Sequence, residues 1–242
     1  MVELNYKLFW FFFIAINLSC SKRVKPSSEH QMELQIIKSA QSPLLINKSG
    51  IFEKESDTLR EIFYRDQYYR DKKNPKYLFQ NIKQQKVFDS LNQTFIISFL
   101  DQHGIQPLSS IGLFGQSAIM YTLIHSDIKL KEKYLQVIID AQQNKTTAPF
   151  LFAIFIDRYL VQKNCFQKYG TQQIKFNGKF VPYPIDIKLA NYNRKRIGLV
   201  QNLKEFLFSN FNYDFNESEY MAVLPQLVKR FGIKNCPDLG IQ

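Results

Sequence analysis

Nine polar residues stand where a helical chain would normally put apolar ones, and their types suit acid–base chemistry. Asp66, Gln67 and Arg70 continue the stripe begun by Leu59, Ile62 and Phe63 at spacings of three and four, so all six share one helix face. His125 ends an apolar segment on a face with Ala118, Tyr121 and Thr122. Asp157 and Arg158 interrupt the apolar run Phe150–Val161, and Gln167, Tyr169 and Gln172 follow within one turn-like stretch. A carboxylate or guanidinium buried alone costs several kcal/mol, so several of these side chains are expected to meet in one network, with Asp157-Arg158 as its hub, reaching back to Asp66, Gln67 and Arg70 and forward to Tyr169. Two roles fit such a meeting. One is a pocket in which His125 is the acid or base, Asp157 or Asp66 orients it, and an arginine holds an anionic group, as in a small hydrolase. The other is a polar network that sets helix register and ties the Gln167–Gln172 turn to the helices, with Gly170 supplying a positive φ.

Other chemistries lack their motifs. The chain has three histidines, no His-Glu-x-x-His and no paired cysteine motif, so no metal site is expected. It has no Gly-x-Ser-x-Gly elbow and no phosphate-cradling loop, and no cofactor is implied. The formal charge of +11 comes from 32 Lys and Arg against 21 Asp and Glu. The lysines are spread along the chain rather than gathered in a basic stripe with aromatics, so no nucleic-acid partner is expected. Lys129, Lys131 and Lys133 read as a solvated helix face.

The elements that must position these residues are mostly helices. Apolar periodicity and breakers predict helices over 55–72, 84–102, 112–126, 128–143 and 148–163. In the second of these the inward stripe is Phe88, Leu91, Phe95 and Phe99. In the third, Gly112 and Gly115 invite a close neighbour. Residues 171–176 alternate and run into Asn177-Gly178, a type I′ hairpin signal that sets Ile174 opposite Val181. One or two short helices are expected over 191–208, and a last helix over 217–231, with Pro225 as a point of interruption. The expected fold is mainly α, a compact domain of about six helices with a small β-hairpin near 171–184.

The start of the chain reads as an address. Leu8–Leu18 is an apolar run of 11 residues after Lys7, too short for the roughly 20 residues that span a bilayer. It closes on Leu18-Ser19-Cys20, which resembles a bacterial lipobox. The expectation is a signal peptide over 1–19, lipidation of Cys20, a tether over 20–50, and a protein held to a membrane without crossing it. That leaves Cys165 and Cys236, which an oxidising compartment would let pair or leave as two thiols.

Several of these residues recur in one order: Asp66-Gln67-x-x-Arg70, His103-Gly104 followed by Gly112, and His125-Ser126-Asp127. Asp157-Arg158, then Gln167-x-Tyr169-Gly170-Thr171-Gln172, and Arg194 or Arg196 before Gly198-Leu199 complete it. In this the chain resembles the uncharacterised bacterial family named domain of unknown function 6624. The likeness covers about residues 55–210 and implies no established activity. Residues 211–242 lie beyond it as a helical extension. The overall expectation is an envelope lipoprotein serving as a binding or structural module, with a protein or small molecule as partner, and a small hydrolase as the alternative.

Overall fold

The computed structural model describes residues 52–70, 80–236 and 238–241. The expected signal peptide over 1–19, Cys20 and the tether over 20–50 lie outside the described residues. The fold is mainly helical with one small antiparallel hairpin. Among the described residues there are eight helices: the five expected before the hairpin, two over 187–211 where one or two were expected, and the last over 217–231. None of these helices is long and apolar enough to cross a membrane.

The chain divides into two compact units, with the division between Phe155 and Ile156. The first unit holds α1 (Glu53–Arg70), α2 (Gln80–His103), α3 (Leu108–His125), α4 (Ile128–Gln143) and the start of α5 (Pro149–Gln162). α1 packs mainly against α3. Leu59, Ile62 and Phe63 are buried on that face together with Asp66, Gln67 and Arg70, as their spacing requires. Each such apolar side chain contributes about 1.5–3 kcal/mol by leaving water.

Three local expectations are corrected. Leu91 is 54% exposed, and the inward stripe of α2 is Gln85, Asn92, Ile96 and Phe99. On that face Asn92 accepts a 2.6 Å hydrogen bond from Arg65 Nη2 of α1. Gly112 serves no close helix approach. It kinks α3 at φ 69°, and a Cβ there would meet nothing within 4 Å. Lys131 is buried rather than solvated, and its ammonium donates to the Ser126 carbonyl at 2.5 Å.

Gln116, in the middle of α3, was not singled out by the sequence and yet fixes the start of α5. Its Nε2 donates to the carbonyls of Gln106 and Thr146, and its Oε1 accepts from Ala148 N at 3.1 Å. Pro149 then opens the helix, where a missing N–H costs nothing.

The second unit, Ile156–Gly240, holds the rest of α5, β1 (Gln173–Phe176), β2 (Lys179–Pro182), α6 (Ile187–Arg196), α7 (Leu203–Phe211) and α8 (Glu217–Phe231). The hairpin has the expected register, Ile174 opposite Val181 about the Asn177-Gly178 turn. α6, α7 and α8 are each capped by a side chain that accepts from the first turn: Asp186, Asn202 and Asn216. α8 continues through Pro225 without a break.

A disulfide joins Cys165, just after α5, to Cys236 in the C-terminal segment, with Cα atoms 5.8 Å apart and a sequence separation of 71. Beside it Lys234 N donates to Asn164 O at 2.9 Å. A crosslink closing a loop of this length restricts the unfolded chain, so its reduction is expected to cost about 2–4 kcal/mol. Urea unfolding with and without a thiol reductant measures this, and a difference under about 1 kcal/mol would show that the bridge constrains little.

Candidate functional site

Among the described residues, hydrogen bonds and ion pairs sort eight of the nine candidates into two groups, one in each unit, instead of one network with Asp157-Arg158 as its hub. The first gathers on the last turn of α1. Asp66 and Arg70 are one helical turn apart, and Arg70 Nη1 pairs with Asp66 Oδ1 in a contact buried on both sides. The other end of the guanidinium, Nη2, pairs with Asp89 Oδ1 of α2 at 2.6 Å. Gln67 Nε2 donates to Asp66 Oδ2 at 2.8 Å. His125, at the end of α3, brings Nδ1 to 3.2 Å from Asp66 Oδ1. The Tyr121 ring lies nearly parallel to that imidazole, with centroids 6.1 Å apart.

The charges around Asp66 decide its state. Burial works to raise its carboxyl, but the His125 and Arg70 charges, with hydrogen bonds from His125 and Gln67, hold it below the usual carboxylate range. Asp89 moves the other way, because its burial outweighs the same arginine and the Asp66 charge adds repulsion. Burial, and then the Asp66 charge, push the Tyr121 phenol up. The arrangement orients one imidazole nitrogen on a carboxylate that stays ionised, with the histidine side chain 14% exposed. Asp89 was missed from the sequence because it lies next to Phe88, which the helical periodicity placed inward.

The second group is built on Asp157, which is wholly buried on α5. Its Oδ1 accepts from Lys168 N at 2.7 Å and Tyr169 N at 2.9 Å. Its Oδ2 accepts from Thr171 N at 2.8 Å and Thr171 Oγ1 at 2.9 Å. Four donors fill the acceptor capacity of a carboxylate. Burial raises this carboxyl above the usual carboxylate range, and the four donors offset only part of that.

The turn it holds is clamped from other sides as well. Gln167 Oε1 accepts from Gln172 N at 2.9 Å, and its Nε2 donates to Gln172 O at 3.0 Å and Tyr183 O at 2.7 Å. The side chain thereby imitates a strand edge. Gln172 Nε2 reaches Thr171 Oγ1 at 3.0 Å. Arg194 of α6, 2% exposed, donates from Nη1 to Tyr169 O and from Nε to Gln201 O, both at 2.8 Å, and stacks on Phe206. Burial lowers its guanidinium to about 10. Of the two arginines the motif order offered, Arg194 is the one that binds the turn; Arg196 is exposed.

Tyr169 is fully buried, and burial with the Asp157 charge pushes its phenol up. Gly170 sits at φ 79°, and a Cβ there would lie 2.2 Å from Leu203 Cδ1, so both backbone and space demand glycine. Arg158 belongs to neither group. Its Nε is buried without an acceptor, and burial lowers its guanidinium to about 10.

The second unit also has a cavity of about 410 Å³ at the first turns of α6, α7 and α8. Ile187, Leu203 and Phe215 form its apolar wall, and Lys204, Asp214 and Glu217 contribute charge. None of the nine candidates lines it. The clamped turn reaches it indirectly, through the packing of Leu203 on Gly170. Among the described residues no three His, Cys, Asp or Glu side chains gather as a metal-binding group. No family model, no curated protein and no solved structure matches the chain.

Proposed function

We propose that this chain is a bacterial envelope lipoprotein, held at a membrane through an acylated Cys20, whose folded part is a binding or structural module. The observation that carries the second half is the Asp157 carboxylate. All of its acceptor capacity goes to the 168–171 turn, so nothing is left for a substrate or a histidine. The Cys165–Cys236 disulfide supports an oxidising compartment outside the cytoplasm, in keeping with the apolar run and the Leu-Ser-Cys motif at residues 18–20. Kinship with the family named domain of unknown function 6624 is part of the same proposal. Its support is the motif order, together with the roles of Asp157, Gln167, Gly170 and Arg194 around one turn.

The anchor is tested by Cys20→Ser in a producing bacterium. Lipid labelling and membrane partition are expected to disappear; labelling that persists would refute the assignment. A thermal-shift screen of polar and amphipathic small molecules against the whole chain tests the binding module.

One observation favours the hydrolase as a second reading. His125 is oriented by an ionised, buried Asp66 and is itself partly exposed. If the chain has a hydrolytic centre, Asp66 and not Asp157 is its orienting carboxylate.

A further inference from the structure

We propose that the outer face of α6 is a docking surface for an anionic phospholipid bilayer, a second membrane contact independent of the acyl chain. The helix buries Ile187, Ala190, Asn193 and Arg194, which leaves a face centred on residue 192 in solvent. On that face Leu189 is 54% and Tyr192 58% exposed. Lys188, Lys195 and Arg196 surround them, all exposed, at spacings of three, four and seven that keep the five together. Arg196 lies over the Tyr192 ring, 5.5 Å from its centroid. Just beyond the helix, Val200 is 78% exposed. Within Ile187–Arg196 there is no carboxylate, and the Asp186 cap is occupied by Leu189 N.

Large apolar and aromatic side chains among cations, with no acidic residue between them, are the pattern by which a helix lies in a membrane interface. The apolar groups enter the boundary between headgroups and acyl chains, and the cations meet lipid phosphates. Charge decides the occupant. A second copy of a chain with formal charge +11 would bring like charge to this face, whereas an anionic leaflet brings the opposite sign.

The test places a reporter on the face. Trp10 is the chain's one tryptophan, so Tyr192→Trp adds a signal that can be read against the parent chain. The full chain is mixed with vesicles of phosphatidylcholine carrying brominated acyl chains, with and without about one third phosphatidylglycerol. The residue-192 signal is expected to be quenched and shifted to the blue by the anionic vesicles, and to recover as salt rises to about 0.5 M. Adding Lys188→Ser, Lys195→Ser and Arg196→Ser should weaken this partition at least tenfold, since each interfacial cation is worth about fivefold. All four positions are exposed, so the thermal midpoint should hold. A Tyr192→Ser chain serves as the second variant, losing anionic-vesicle sedimentation in the same salt-dependent way.

No quenching by anionic vesicles would overturn the proposal. So would equal quenching by neutral vesicles that salt does not relieve. Self-association abolished by Tyr192→Ser, without quenching, would overturn it in favour of a second copy on this face.

Discussion

Asp157→Asn is expected to lower the unfolding free energy by about 3–5 kcal/mol, one of the two largest losses any single change in this chain should cause. The substitution is nearly isosteric, so packing is not the reason. The carboxylate meets only donors: the amides of Lys168, Tyr169 and Thr171 and the Thr171 hydroxyl. An asparagine offers one acceptor oxygen and turns an NH₂ toward two of those donors. They are buried, and a donor without an acceptor keeps its full desolvation cost. The damage should also spread, because Arg194 grips the same turn at the Tyr169 carbonyl and Gly170 seats Leu203. Urea unfolding should show a midpoint lower by about 2 M. Thr171→Val, which removes only the hydroxyl donor, should cost about 1 kcal/mol. If Asp157→Asn cost no more than Thr171→Val, the carboxylate would not be the anchor of the turn.

The second large effect is at Asp66 and carries a pH signature. Asp66→Asn removes the buried charge that pairs with Arg70 and His125, and should cost about 3–5 kcal/mol at neutral pH. The folded state holds the Asp66 carboxyl below its usual range. Ionisation therefore stabilises the fold, and this contribution is fully present above the unfolded value of about 3.9. It is lost as pH falls through the lower folded value. The gap in stability between the parent and Asp66→Asn should accordingly be open above about pH 4 and close below it. A gap that does not change with acid would mean that Asp66 stabilises by shape alone. The same variant bears on the hydrolase reading. His125→Gln that keeps the thermal midpoint but abolishes hydrolysis of a model ester would favour chemistry at this group. A fall in midpoint for both variants, without any activity in the parent, would leave the group a structural one.

Much of the frame was legible because its causes are local. Leu59, Ile62, Phe63, Asp66, Gln67 and Arg70 share a buried face because residues three and four apart on a helix must, whatever packs against them. Asn177-Gly178 accepts positive φ at both positions, so the hairpin and its Ile174–Val181 register followed from two residues. Where a helix carried apolar residues on two faces, as α2 does, periodicity alone chose wrongly at Leu91. In the structure Asn92 faces inward instead, beside Ile96 and Phe99, and accepts from Arg65 of α1. Lys131 likewise looked like any surface lysine until the Ser126 carbonyl was seen within reach.

The candidate site followed the same division. Composition and spacing by themselves placed Asp66, Arg70 and Asp157 on buried helix faces, and burial obliged them to find partners. They could not determine which partners. Asp66 meets His125 across 59 residues, Asp157 meets a turn 11 to 14 residues on, and Cys165 meets Cys236 across 71. Helical spacing reports on neighbours within a turn or two, whereas these meetings depend on how whole helices lie against one another. Only the tertiary structure therefore resolved one expected cluster into two, gave Asp157 to the turn and Asp66 to His125, and placed the cavity at helix ends that carry none of the residues first singled out.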